Sequence, residues 1–245
     1  MLLARTVHAS PRLLSTSSTS TTLTIIHETS DYFFLNKPSG IPVSGDTSTT
    51  NYHELAKYHA QAHYSMPHLN LLHRLDKDTS GVMVYAKHLD AAKHFLALQE
   101  TKGAITKDYK AIVANSPPKP SGRISGGISL SLDKTSFVIR TKGSKRVLTT
   151  YKQLSTATHP RLGPLAGLSL RLVTGRKHQI RASCRHISCP IVGDTKYGGA
   201  KNSTMLLHAA RCAFVGPEGE KYDVQCEPEW AADPIFRSLL NLEEE

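Results

Sequence analysis

The chain has 245 residues and four cysteines, and none of the cysteines forms a C-x-x-C pair. Cys184, Cys189, Cys212 and Cys226 therefore lack the close thiolate pairs that a structural zinc site uses, and reduced thiols are expected. No apolar run approaches the ~18 residues that a membrane-spanning helix needs, so no membrane role is expected. A Gly-rich phosphate-cradling loop is also missing. Acidic residues are few: 20 Asp and Glu stand against 30 Lys and Arg, a formal charge of +10. Such an excess favours a polyanionic partner, with nucleic acid ahead of an anionic membrane. Charged residues at 20% and hydrophobic residues at 39% are ordinary values, which argues against wholesale disorder and allows a sizeable core.

The N-terminus has no acidic residue before Glu28 and is crowded with Ser and Thr around Arg5 and Arg12. The arginines interrupt Leu2, Leu3, Leu13 and Leu14, so no continuous signal-peptide core exists. That composition fits a mitochondrial transit peptide over residues 1–21, outside the fold. A catalytic domain over 22–232 and a C-terminal helix or tail over 233–245 are expected to follow.

Within 22–232, "LTIIHETSDYFFLNKPSGIPV" reads as two short strands, broken where Pro38 and Gly40 fall. Residues 51–64 suit an amphipathic helix, residues 81–86 a strand, and 90–101 a helix with Ala91, Phe95 and Leu98 on one face. "AITKDYKAIVA" alternates as a strand, while "SPPKPSGRISGG" reads as a loop by composition. Strands are expected at 128–132, 136–140, 146–154, 167–173, 204–214 and 221–226, with helices at 177–187 and 233–241. The class is α+β, with a mixed, largely antiparallel sheet and flanking helices.

Three islands combine unlike residue types too densely for ordinary packing: "HRLDKDTSG", "TKDYKAIV" and "TGRKHQIR" with its trailing "PIVGDTKYGG". The first offers Asp76 between cations, and nearby positive charge keeps a carboxylate ionised for work as a base or nucleophile. The second offers Tyr109, with a ring for stacking and a hydroxyl for hydrogen bonding. The third offers Arg176 and Arg181, planar forks for a carboxylate or phosphate.

These motifs resemble the RluA-type family of pseudouridine synthases. The family's HRLDxxTSG stands complete at residues 73–81, TGRxHQIR at 174–181 and PIxGDxxYG at 190–198. NKPSG at 36–40 and LLHAARCAF at 206–214 match weaker flanking motifs. The resemblance runs from about residue 22 to about 232. It implies the pseudouridine synthase fold and conversion of uridine in RNA to its C-glycoside isomer. Position by position, it implies that Asp76 is the catalytic carboxylate and that Arg181 pairs with it. Tyr109 stacks on the target uracil, Arg74 enters the space left by the extruded nucleotide, and Leu207 makes an apolar contact to the base. His73, Arg176, His178, Gln179 and Asp194 are expected to brace the site, while Asp78 and Thr79 tie the turn. Lys142, Lys145, Arg146, Lys177 and Arg185 are expected at RNA phosphates.

The chemistry breaks the bond from C1′ to N1, turns the uracil and joins C1′ to C5. The carboxylate can attack the sugar or the base ring, or remove a sugar proton, and residues alone leave these routes open. No electron enters or leaves, so no cofactor and no metal is expected. A base within a stack must first be flipped out. Many relatives carry an N-terminal RNA-binding domain of the S4 type, whereas only about 21 residues precede the catalytic domain here. Thr204 stands where the family usually has Arg, and Ser183-Cys184 replaces a bulkier pair. The expected partner is ribosomal or transfer RNA, mitochondrial if the leader is genuine, and the expected state is a monomer. Two rivals are an RNA-binding factor that has lost activity and a hydrolytic enzyme using the same aspartate, for which a second flanking carboxylate would be needed.

Overall fold

Residues 80–86, SGVMVYA, are buried without exception, which in a strand means cover on both faces. The computed structural model describes residues 23–45, 51–66, 68–130, 136–139 and 144–242. The leader expected over 1–21, Lys142 and the last residues of the tail lie outside the described residues. The chain divides into two compact units, one running to Thr106 and resuming at Ala210–Cys226, the other comprising Lys107–Ala209 and the segment from Glu227.

The first unit contains β1 (Thr24–Glu28), β2 (Tyr32–Lys37), α1 (Tyr52–Tyr64), β3 (Asn70–Leu71), β4 (Ser80–Ala86) and α2 (Leu89–Glu100). It also takes most of β10 (Leu207–Val215), and β11 (Lys221–Gln225). Strand order is β1-β2-β4-β10, with β11 on β10 and β3 on β4. Alternation along β2 sends Tyr32 and Phe34 to one face, where they join Val82, Val84, Phe95, Phe214 and Tyr222 in an aromatic core under α2. Phe33 and Tyr85 go to the other face and meet α1, Phe33 edge-on to Tyr64 and Tyr85 stacked on His53. Each helix begins at a side-chain cap: Asn51 accepts from Glu54 N at 3.0 Å, and His88 Nδ1 accepts from Ala91 N at 3.3 Å.

The second unit holds β5 (Thr106–Ala114) from its second residue on, β6 (Ser121–Leu130), β7 (Ser136–Ile139), β8 (Lys145–His159), β9 (Gly163–Leu172), α3 (Gln179–His186) and α4 (Pro234–Leu239). Its strand order is β5-β9-β8-β6-β7, antiparallel throughout. The C-terminal helix belongs to this unit's core, where Phe236, Leu239 and Leu240 pack with Ile112, Leu165, Val192 and Leu206. Gly167 is required there, since a Cβ would overlap the carbonyl of Leu239.

The α+β class with a largely antiparallel sheet is what the structure shows, but three local expectations change. Ser121–Gly127 is strand, not loop, because it pairs with β8 from Ser121↔Lys152 to Gly127↔Arg146. Its glycines are not breakers: a Cβ on Gly122 would stand 2.9 Å from the Tyr151 ring, so the position makes room for a neighbour. β8 runs on to His159 because an irregularity between Gln153 and Ser155 resets its alternation. α3 starts at Gln179 rather than 177, since His178 adopts a left-handed φ of 54° and ends a turn instead of opening a helix.

Candidate active site

Asp76 lies in the first unit, on a segment without regular structure that is fixed at almost every residue. β3 pairs with β4 just ahead of it, Asn70 opposite Ala86 and Leu71 opposite Tyr85. Gln99 of α2 donates to the Leu72 carbonyl at 2.9 Å. His73 turns inward, its Nε2 accepting from Val84 N at 3.0 Å and its ring stacked on Phe95. Leu75 is buried, Arg74 is exposed, and Asp76 is half-buried. The backbone N–H of Thr79 then closes the turn on the Asp76 carbonyl at 3.2 Å.

The strongest fastening comes from Lys37, which sequence reasoning passed over. The residue is fully buried. Its ammonium donates to the carbonyls of Pro38 (2.7 Å), Ile41 (2.9 Å) and Lys77 (2.9 Å). Gly40 N also donates to the Lys77 carbonyl at 3.0 Å, and Ser39 Oγ to the Asp78 carbonyl at 2.8 Å. The NKPSG loop thus clamps the turn directly after Asp76. Burial lowers the Lys37 pKa to about 8, and the charges of Asp78 and Asp76 oppose the fall. The sequence signal was Lys37 inside NKPSG, but a lone lysine reads as a surface residue unless its burial is known.

The second unit holds Tyr109, Arg181 and Leu207. Tyr109 is buried on β5 opposite Leu170, which is itself opposite Tyr151, so the two tyrosines share one face of the sheet. Arg181 sits in the first turn of α3 and grips Asp194 through both fork nitrogens, Nε to Oδ2 at 2.8 Å and Nη2 to Oδ1 at 2.7 Å. This pair is buried, with side-chain exposures of 8% and 1%. The Arg181 guanidinium lies 5.1 Å from the Tyr197 ring centre, and His178 Nδ1 meets the Tyr197 hydroxyl at 3.2 Å. Leu207 is buried at the start of β10, next to Leu206, whose carbonyl accepts from Ile112 N.

Bracing by Gln179 is explicit. Its Oε1 accepts from Thr174 Oγ1 at 2.9 Å and Arg176 N at 3.1 Å, and its Nε2 donates to Leu148 O at 3.1 Å and Thr149 Oγ1 at 3.0 Å. The TGRKHQIR motif is therefore a turn tied by its own glutamine so that α3 presents Arg181. The GDTKYGG motif positions Asp194: Gly193 has φ +84°, and a Cβ there would overlap the Thr204 backbone. Arg74 and Asp76 thus belong to one unit, and Tyr109, Arg181 and Leu207 to the other. The expected phosphate contacts Lys145, Arg146, Lys177 and Arg185 are all exposed. All four cysteines are free thiols.

The chain belongs to the RNA pseudouridylate synthase family, whose model matches residues 31–186. It is 37% identical over 185 residues to ribosomal large subunit pseudouridine synthase D of Buchnera aphidicola subsp. Acyrthosiphon pisum, covering 73% of this chain and 56% of that protein. To the protein of the same name from Zymomonas mobilis subsp. mobilis it is 30% identical over 243 residues, covering 89% and 73%. Among solved structures it is similar to human RNA pseudouridylate synthase domain containing 4, with a TM-score of 0.71 and 26% identity over 90% of this chain and 94% of that one. The chain spans a little over half the length of the first of these relatives.

Proposed function

We propose that this chain isomerises uridine to pseudouridine in structured RNA, with Asp76 as the catalytic carboxylate. The observation that carries the reading is the way the Asp76 turn is held. A segment with no regular structure is fastened by His73, Leu75, Gln99 and a fully buried lysine, while the carboxylate itself is only half-buried. Fixing an acidic side chain so closely is what pre-organised chemistry at a sugar or base ring needs.

In this reading the target nucleotide is flipped out and Arg74, exposed and unburdened by packing, enters the gap. The uracil stacks on Tyr109, an interaction worth about 1–3 kcal/mol per base, and Leu207 contacts its apolar edge. Arg181, aligned by Asp194, partners the Asp76 carboxylate in the working complex. The C1′–N1 bond breaks, the uracil turns within the site, and C1′ bonds to C5. C5 then loses its proton and N1 carries one, so the product has the atoms of the substrate. The names of the relatives favour ribosomal RNA of the large subunit over transfer RNA. The Arg-bearing, Ser-rich leader favours a mitochondrial RNA.

The test is a map of pseudouridine by carbodiimide-dependent reverse-transcription stops, in total and organellar RNA from cells carrying wild-type protein or Asp76→Ala. One or a few signals should vanish with the substitution. An unchanged map, with the variant folded and in the same compartment as the wild type, would transfer the reading to a non-catalytic RNA-binding factor. Release of free uracil in place of isomer would mark a hydrolase.

A further inference from the structure

Strand register sorts the side chains of the second unit onto two faces. Gly122, Tyr151, Leu170 and Tyr109 are successive partners across β6, β8, β9 and β5, so they share one face. α3 packs on that face: Ser183 meets Thr149, while Ala182 and Tyr197 pack on Ile128 and Val147. The opposite face is covered at one end by α4, which packs over Gly167 and Ile112. At its other end the side chains are open. Arg123, Lys152 and Arg171 are exposed and Lys110 is half-buried.

These four cations are diagonal neighbours, one from each strand. Arg123 is opposite Thr150, two residues from Lys152; Lys152 is opposite Ser169, two residues from Arg171; Arg171 is opposite Asp108, two residues from Lys110. Diagonal cross-strand neighbours stand about 7–8 Å apart, so the cations cross the whole sheet as a zigzag. Arg146, opposite Gly127, extends the same face and is exposed. Among these residues and their register partners the one carboxylate is Asp108, already held by Arg171 at 2.6 and 2.9 Å. Glu227, which lies near Lys110, is paired with Arg237 at 3.2 Å. Both of these acidic side chains are thus paired with arginines, and the cations of the face outnumber them. No aromatic ring stands in these rows, so a base finds nothing to stack on. Cations interleaved with the hydroxyls of Ser121, Thr150 and Ser169 suit phosphates instead.

We infer that this open face is a second RNA surface, on the side of the sheet opposite Tyr109, where backbone phosphates of structured RNA rest along Arg123, Lys152, Arg171 and Lys110. It rests on the reading that the substrate is RNA and adds to it: RNA outside the target loop is gripped by shape and charge, not by sequence. A face of this kind raises affinity for large folded RNAs equally, whatever their bases.

The test compares full-length wild type with the triple variant Arg123→Thr/Lys110→Thr/Lys152→Thr, which keeps β-favouring residues and leaves the Arg171–Asp108 pair intact. Binding is read by fluorescence anisotropy across a salt series, with an RNA stem–loop and an unstructured single strand of equal length as probes. The triple variant should weaken stem–loop binding at least about tenfold and flatten the log–log salt slope by about 2–3. Thr150→Lys, which adds a cation between Arg123 and Arg171, should steepen the slope by about 1 and guards against a variant that folds poorly. A change confined to the single strand would keep the phosphate surface and assign it to a flanking unpaired segment. Coincident slopes for wild type and both variants would overturn the inference and leave the isomerase reading untouched. A wild type that binds neither probe would sink both. If polyglutamate binding is lost in the triple variant while RNA slopes stay put, an acidic protein partner replaces RNA on this face.

Discussion

The two segments that present candidate catalytic groups are fixed by opposite electrostatics. In the first unit the ammonium of Lys37 is buried against three carbonyl oxygens, and burial brings its pKa down to about 8. In the second unit the guanidinium of Arg181 is buried against a carboxylate that matches its fork. Carbonyl dipoles hold a cation without cancelling its charge, so the lysine can lose its proton close to neutrality. An arginine effectively always stays protonated. The turn after Asp76 is therefore fastened by a group that titrates, and α3 by one that does not.

Breaking the second fastening should do the most damage. Asp194→Ala leaves the Arg181 charge buried without its carboxylate, which should lower unfolding free energy by about 3–5 kcal/mol, read from urea midpoints. Lys37→Met should follow at about 2–5 kcal/mol, because three carbonyls lose their donor. Pseudouridine formation should drop further than stability explains, since the Asp76 turn is released; kcat should fall far more than KM rises.

The pH contrast sharpens the comparison. Folding lowers the Lys37 pKa from 10.5 to about 8, so between those values the unfolded chain holds a proton that the native state has lost. Through that window the residue's contribution to stability rises with pH, and below pH 8, where both states are protonated, it is flat. Activity should run the other way. A neutral amine has two hydrogens for three carbonyls, so kcat should decline through an alkaline limb near pH 8 while urea midpoints do not fall on this residue's account. Lys37→Arg, if active, should lack the limb; a limb unchanged in that variant would place the titration elsewhere.

The smallest effect tests whether geometry or burial makes the Arg181 pair matter. Arg171–Asp108 and Arg211–Asp223 have the same two-pronged form at 2.6 to 2.9 Å but sit at the surface. Asp223 has its carboxyl pKa lowered by the hydrogen bond from Arg211, yet solvent screens the pair. Arg211→Ser and Arg171→Ser should each change stability by less than about 1 kcal/mol.

Much of this was legible in the chain. The short strand YFFLNK ahead of Pro38, the continuous apolar run after Ser80 and the amphipathic spacing of 51–64 all became the expected elements. The motifs pointed at Asp76, Tyr109 and Arg181 because those residue types are uncommon in such company. Gly122 misled, since a strand glycine that yields to a neighbour's ring looks like a loop glycine until the neighbour is known. Lys37 escaped notice for the same reason: its burial is a property of Ile41 and Lys77, not of the residues beside it.

By itself, then, the sequence determined the order and type of most elements, the acidic and aromatic candidates, and the excess of positive charge. Those follow from local periodicity and from residue chemistry, which neighbours in the chain suffice to express. Tertiary structure alone decided that Asp194 engages Arg181, that a buried lysine clamps the Asp76 turn, and that Arg123, Lys152, Arg171 and Lys110 line one face. A shift of one residue in register would have sent each of those strand cations to the other side. Register is set by pairing between strands distant in sequence, and no window of the chain contains it.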